Sequence, residues 1–418
     1  MNVKPFNRPQ VFRFATESNA SSRLCFLVLI AFSATFCLGA NAVLAQHSAS
    51  EFHKILRELA AFDEIDFAAL EQGETVVSLL PANDTREVAV SGLVGLQAPA
   101  EVFLQSFRES MSRKTNPAIL EIGRFSSTPA LDDLKDLTIE SRDIDDMKEC
   151  VVGDCALKLS ATMIERFHRE LDLEAPDYRT RAAELLKLML LEYVRDYAAR
   201  GDAALIEYND QSKGVRVAEE QRALMGASTY YKKILPEKGS PKSEISIVEN
   251  AIVWSKIKFG LKPVTAINHI IVYKREQAPQ VLVAEKQIYA NHYFDSSLAL
   301  TAFVNIPGDK PGTYLFYENR SRADGLKGAF RKIKRGIIEN RAIDSLKNIL
   351  DSSKANLNAR TLSQSESASA PLERPGWRGW KVRRVHLLFS LLLITAFVAL
   401  FTLSNYAWKG SLSGRVQP

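Results

Sequence analysis

Two apolar runs, at residues 24–40 and 385–403, bracket every part of this chain that can fold in water. The first follows a basic leader carrying Lys4, Arg8, Arg13 and Arg23. It ends in Asn41-Ala42-Val43-Leu44-Ala45, where Val43 and Ala45 fit the small-x-small cleavage rule. Residues 1–45 therefore read as a secretory signal peptide, with an uncleaved anchor as the alternative. Cys37 does not make this a lipoprotein signal, because Phe36 stands where lipidation needs a small residue. The second run reaches roughly 28 Å at 1.5 Å per residue, close to the hydrocarbon thickness of a bilayer. Trp377, Trp380, Tyr406 and Trp408 flank it as interfacial aromatics. It predicts a transmembrane helix over 385–404 and a short tail at 405–418. The expected location is the cell membrane, single-pass, with the main domain on the extracytoplasmic side. Arg378, Lys381, Arg383 and Arg384 then lie outside, against the positive-inside bias. That bias governs short loops, and a large domain already committed to export overrides it.

Between the runs the composition is that of a globular protein, with 46% hydrophobic and 25% charged residues across the chain. The net charge of +5 sits largely in the leader and the membrane flank, so it gives no argument for nucleic acid. Loss of the leader leaves Cys150 and Cys155, in Cys-Val-Val-Gly-Asp-Cys. In an oxidising compartment the spacing predicts a short disulfide loop worth ~2 kcal/mol, with Gly153-Asp154 supplying the turn. His168 is the only nearby histidine, so neither a metal site nor a cofactor is expected.

Helical spacing of Phe52, Ile55, Leu56, Leu59 and Phe62 predicts a helix over 50–70. A strand is expected at 87–96, and after Pro99 a helix bearing Val102, Phe103, Phe107 and Met111. Residues 131–235 read as a mainly helical insertion. In it Ser160 caps a helix, and a stripe from Leu185 to Tyr197 ends at Gly201. From Ile245 the period changes to that of strands, at 253–259, 264–273, 280–289, 298–306 and 313–319. Short turn signals separate them, which implies an antiparallel meander. A long helix is expected over 324–351, with Leu326, Phe330, Ile333 and Ile337 on its buried face. Residues 352–376 have the Ser, Ala, Asn and Glu content of a disordered tether. The expected exported α+β domain is 46–351.

A strand, then Ala98-Pro99-Ala100-Glu101-Val102-Phe103 opening a helix, later successive antiparallel strands and one long C-terminal helix: this order resembles the START-like helix-grip superfamily. The resemblance covers residues 86–107 and 253–350. It implies a curved sheet that wraps the last helix and encloses a cavity for a lipid or other apolar molecule. The fold class expected is α+β, a meander with the long helix across it, a large helical insertion, and one transmembrane helix.

The polar pairs Asn268-His269 and Asn291-His292, the latter followed by Asp295, are the notable groups on the strands. A hairpin turning near 275–280 would set His269 opposite about Lys286, too far from His292 for a shared metal. Each histidine either meets a ligand or is satisfied by backbone and neighbouring tyrosines. Arg320 and Arg322 could hold an anionic head group at the next helix, or cap it through Asp324 and pair with acidic side chains. No Ser-His-Asp arrangement, paired-carboxylate motif or phosphate loop appears. The expectation is a membrane-tethered domain binding a hydrophobic or amphipathic ligand, with Trp254, His269, Tyr289, His292 and Arg320 facing the cavity. A non-enzymatic module for an envelope protein partner is the alternative, and a hydrolase using His269 or His292 a third.

Overall fold

Strand β2 (Glu87–Leu96) is buried along its whole length, which a strand achieves only when both faces of its sheet are covered. The computed structural model describes residues 64–114, 117–234, 245–275, 280–305, 313–326 and 331–369. Among them an α+β fold is built on one eight-stranded antiparallel sheet, in the order β1-β2-β10-β9-β8-β7-β6-β3. The strands are β1 (Val76–Leu79), β2, β3 (Ile119–Arg124), β6 (Ile245–Ile257), β7 (Val264–Arg275), β8 (Val281–Ala290), β9 (Phe294–Asn305) and β10 (Thr313–Ala323). β4 (Glu207–Tyr208) and β5 (Val215–Arg216) form a separate two-stranded ribbon. The five consecutive strands β6–β10 form the expected meander, and His269 pairs with Lys286 as the turn signals predicted. β10 then returns to lie beside β2.

Two helices cover one face, here the inner face: α2 (Ala100–Ser110) and α8 (Arg331–Ser369). Val102, Phe103 and Phe107 of α2 and Ile338, Ala342, Leu346, Leu350 and Leu357 of α8 share a core with the strands. Those strand partners include Val90, Val253, Ile270, Val283, Phe303 and Tyr317. The ring of Phe103 stacks on Phe303 at 5.4 Å. Gly92 lets α8 close on β2, since a Cβ there would lie 2.5 Å from a methyl of Leu350.

The outer face is covered by the helical segment: α3 (Ser141–Lys148), α4 (Ala161–Glu170), α5 (Tyr178–Arg200) and α6 (Val217–Ala227). They pack on Trp254, Ile267, Ile288 and Tyr289. The segment is therefore packed on the same sheet, with its own core on the outer face. Alongside it, α1 (Glu64–Glu71) and α7 (Thr229–Ile234) cover Leu93, Leu282, Leu300 and Phe316. Ser160 caps α4 by accepting from the Met163 amide, and α5 stops at Gly201, whose φ is +60°. The disulfide joins Cys150 and Cys155. Its loop docks on the β4–β5 turn, with the Cys155 amide donating to Asp210 O at 3.0 Å.

Two expectations about the long helix change. Its buried stripe is Ile338, Ala342, Leu346, Ile349, Leu350 and Leu357, while Ile337 is 39% exposed. It also runs to Ser369, well into the stretch read as a disordered tether. Low hydrophobicity suggested a tether, yet alanine, leucine, lysine and arginine favour a helix once Leu357 docks. Strands β1 and β3 were not expected; both are short edge strands with little pattern of their own. The start of the helix read over 50–70, the signal peptide and the transmembrane run lie outside the described residues. Among those residues no helix is long and apolar enough to cross a membrane.

Leu357→Ala should lower the unfolding free energy by about 2–4 kcal/mol in urea titration. Leu362→Ala, at an exposed position of the same helix, should change it by less than about 0.5 kcal/mol. Equal, small effects from both would mean that α8 is not docked beyond residue 351.

Candidate functional site

The five residues expected to face a cavity under the long helix all lie on the other side of the sheet, in or beside the outer layer. Alternation assigns them: Trp254 and Tyr289 join the helical segment's core, and Arg320 follows the parity of the outer-facing Phe316. Trp254 donates from Nε1 to Asp133 O at 2.8 Å, and Gly123 makes room for its indole. Tyr289 packs between Tyr193 and Tyr208, and its hydroxyl has no protein partner. His292 Nε2 and the Asn291 amide both donate to the buried carboxylate of Asp143, each at 3.0 Å. That clamp ties the β8–β9 connection to α3.

His269 lines a cleft of about 500 Å³ between the helical layer and the end of the sheet. Phe125, Pro129, Tyr197 and Ile252 supply apolar walls, with Arg124 and Asn250 as polar rim. His269 Nε2 lies 2.8 Å from Asn250 Oδ1 and so carries the proton; Nδ1 then accepts from the Tyr197 hydroxyl at 2.8 Å. Burial drives the His269 pKa down to about 4; Lys286 adds to this and Asp202 opposes it. Burial likewise holds the Tyr197 proton tightly. A base this weak beside a hydroxyl this reluctant is poor equipment for activating a nucleophile.

Arg320 and Arg322 do not wait for an anionic head group. β10 extends through both, and Arg320 donates to Glu87 at 2.8 Å, to Glu318 at 2.7 Å and to Pro81 O. Arg322 pairs with Glu220 at 2.7 Å and with Glu87. Next to them, Lys158 is 2% exposed and meets Asp295 at 2.9 Å, Asp324 at 3.1 Å and Asp210 at 3.6 Å. Burial alone would push the Lys158 ammonium pKa down, but Asp324, Asp295 and Asp210 outweigh it and hold it up. Arg86 reaches the same Asp295 at 2.9 Å. This network fastens the helical layer to the sheet and to Asp324, which leads toward α8.

The inner face holds what the sequence reading missed. Glu285 follows Val281 and Val283 on β8 and shares their face; Thr301 does the same between Ala299 and Phe303 on β9. Register sets Gln287 beside Asn268, and Ser255 lies on the same face of β6, between Val253 and Ile257. These side chains form one diagonal stripe under α2 and α8. Glu285 is 3% exposed and Thr301 1%. Neither oxygen of the Glu285 carboxyl, nor Gln287 Oε1, Thr301 Oγ1 or Ser255 Oγ, has a protein hydrogen-bond partner. Ser106 Oγ on the facing helix is also without one. Burial raises the Glu285 pKa well above the usual carboxylate range, and no opposing charge enters, so burial favours its neutral acid form. Beside the stripe, Asn319 bonds Ser297 and Ser321, and Tyr317 bonds Asn319. The signal available in the sequence was a single acidic residue inside Val281-Leu282-Val283-Ala284-Glu285. Among the described residues no group of three or more His, Cys, Asp or Glu is placed to hold a metal.

Because folding depresses the His269 pKa below its unfolded value of about 6.5, the unfolded chain binds the extra proton. His269 thus contributes stability that is complete above about pH 6.5 and is lost as pH falls toward 4. Measured against His269→Gln, the wild-type unfolding free energy should drop by a few kcal/mol across that window; a constant difference would contradict this. Lys158→Met should cost about 3–5 kcal/mol, because Asp295, Asp324 and Asp210 lose their shared cation. Partial recovery in Lys158→Met with Asp295→Asn would confirm the cause. No protein-family model, curated protein or solved structure matches this chain.

Proposed function

We propose that this chain is a membrane-tethered, exported binding protein for an amphipathic, lipid-like ligand held between the sheet and the α2/α8 layer. The order of elements supports the helix-grip reading: a strand and helix, then a meander, then a long C-terminal helix on the sheet. The observation that carries the proposal is the inner stripe of buried oxygens without partners. Each such group costs about 1–3 kcal/mol relative to a satisfied or apolar one. A purely structural core would do better with leucine or valine at 285 and 301. A ligand whose polar end meets the stripe offsets that cost, while its chain runs along Phe103, Phe107 and Phe303. In the closed molecule the oxygens are shut from water, so entry requires α2 or α8 to lift. The described part of the helix reaches Ser369, a short distance in sequence from the apolar run at 385–403. That tether keeps the layer near a bilayer, the natural source of such a ligand.

A second reading, a docking module for an envelope protein, draws on the open cleft beside His269. It predicts no role for Glu285. The two separate on one variant. Glu285→Leu should raise the unfolding free energy by about 1–3 kcal/mol. Organic extracts of the purified full-length wild type should contain one enriched amphipath by mass spectrometry, and extracts of the variant should lack it. A destabilised variant with an unchanged extract would overturn the proposal.

A further inference from the structure

Every other buried acid among the described residues has a partner. Glu87 has Arg320 and Arg322, Glu318 has Arg320 and Ser228, and Asp143 has His292 and Asn291. Asp295 has Lys158 and Arg86, and Asp210 has Lys158. Glu285 alone meets neither a donor nor a cation. The cations near the edge of its layer are already taken: Lys274 by Glu101 at 2.7 Å, Arg108 by Glu249 at 3.4 Å and Arg360 by Glu109 at 3.0 Å. Lys286, its neighbour in sequence, points to the opposite face and pairs with Asp202. The titratable side chain within electrostatic reach is Tyr317 on β10, which is bonded to Asn319 and keeps its proton.

The unpartnered atoms around Glu285 can all accept: the Gln287 amide oxygen accepts only, and the Thr301 hydroxyl can accept or donate. Gln287 Oε1 lies two residues along the same strand. Thr301 pairs with Val283, which puts it one diagonal step away, roughly 7 Å in a regular sheet. A carboxylate and an amide oxygen can only accept. A group suited to them must therefore bring several donors and, to let Glu285 ionise in an apolar layer, a positive charge. An alcohol brings one donor and no charge. A fatty acid brings acceptors and the wrong charge. A primary ammonium brings three N–H donors and the counter-charge.

Resting on the reading of an amphipathic ligand in this layer, we infer that the ligand's polar end is an amine. Its ammonium pairs with Glu285 while Gln287 Oε1 and Thr301 Oγ1 accept the remaining N–H bonds. The proton balance follows. Glu285 starts as the acid, the amine arrives as its ammonium ion, and the carboxyl proton leaves to solvent, so one proton is released per ligand bound.

The test uses the full-length protein and three probes of equal chain length, octylamine, octanol and octanoate, by calorimetry in buffers of different ionisation heat. Octylamine should bind about tenfold or more tighter than octanol, release about one proton, and lose both properties in Glu285→Gln. Its affinity for the wild type should rise about tenfold per pH unit near neutrality, a readout that needs no variant. Equal binding of octanol and octylamine, with no proton release, would overturn the amine assignment and leave the amphipath reading standing. Binding of none of the three would overturn both. Octylamine binding in Glu285→Gln that keeps the proton release and pH slope of the wild type would mean that Glu285 is structural only.

Discussion

Enclosure of the sheet on both faces is the constraint on which the rest of the molecule depends. A strand residue here has two destinations, and both are interior. Every buried polar side chain on β6–β10 must therefore find a partner or remain desolvated at a cost of about 1–3 kcal/mol. The outer layer largely meets this demand: Lys256 bonds Thr138, His269 is held at both ring nitrogens, and Arg320 lies among carboxylates. Its orphan oxygens, on Tyr289, Ser296, Gln221 and Asp210, are scattered singly. The inner layer gathers its orphans into one stripe. That asymmetry separates the fastening surface from the surface proposed to bind.

The two layers are linked physically. Lys158 comes from the helical segment, Asp295 from β9, Arg86 from the approach to β2, and Asp324 from the exit of β10 toward α8. The Cys150–Cys155 loop docks beside Asp210 and so helps to place the third carboxylate of this cluster. Such a buried, mutually compensated set is costly to break at one member. It therefore holds the sheet and the helical layer rigid, whereas the inner cover rests on apolar contacts of α2 and α8. Those contacts are not directional, and the ion pairs that tie α2 to the sheet, Lys274–Glu101 and Arg108–Glu249, lie at its partly exposed edge.

Much of the architecture was legible in the sequence. Turn signals between the strands set their lengths, and the pairing of His269 with Lys286 follows from the one near 275–280. Ser160 and Gly201 mark helix ends by chemistry that acts locally. The choice of face was not legible, because strands buried on both sides lose the alternation that would reveal it. Candidate residues then had to be picked by type, which favoured Trp254, Tyr289 and the histidines. Glu285 was concealed by Lys286: adjacent opposite charges look like a solvated strand end, while in the sheet they point to different layers. The extension of α8 past residue 351 was hidden for a related reason, since one buried leucine decides it.

The central claim is that Glu285 is a neutral acid in the closed protein and an anion when the layer is occupied. Infrared difference spectroscopy of the full-length wild type against Glu285→Gln measures this directly. The account predicts a protonated-carboxyl stretch at neutral pH that disappears on addition of octylamine, replaced by a carboxylate band. A carboxylate band in the ligand-free protein at neutral pH would contradict it.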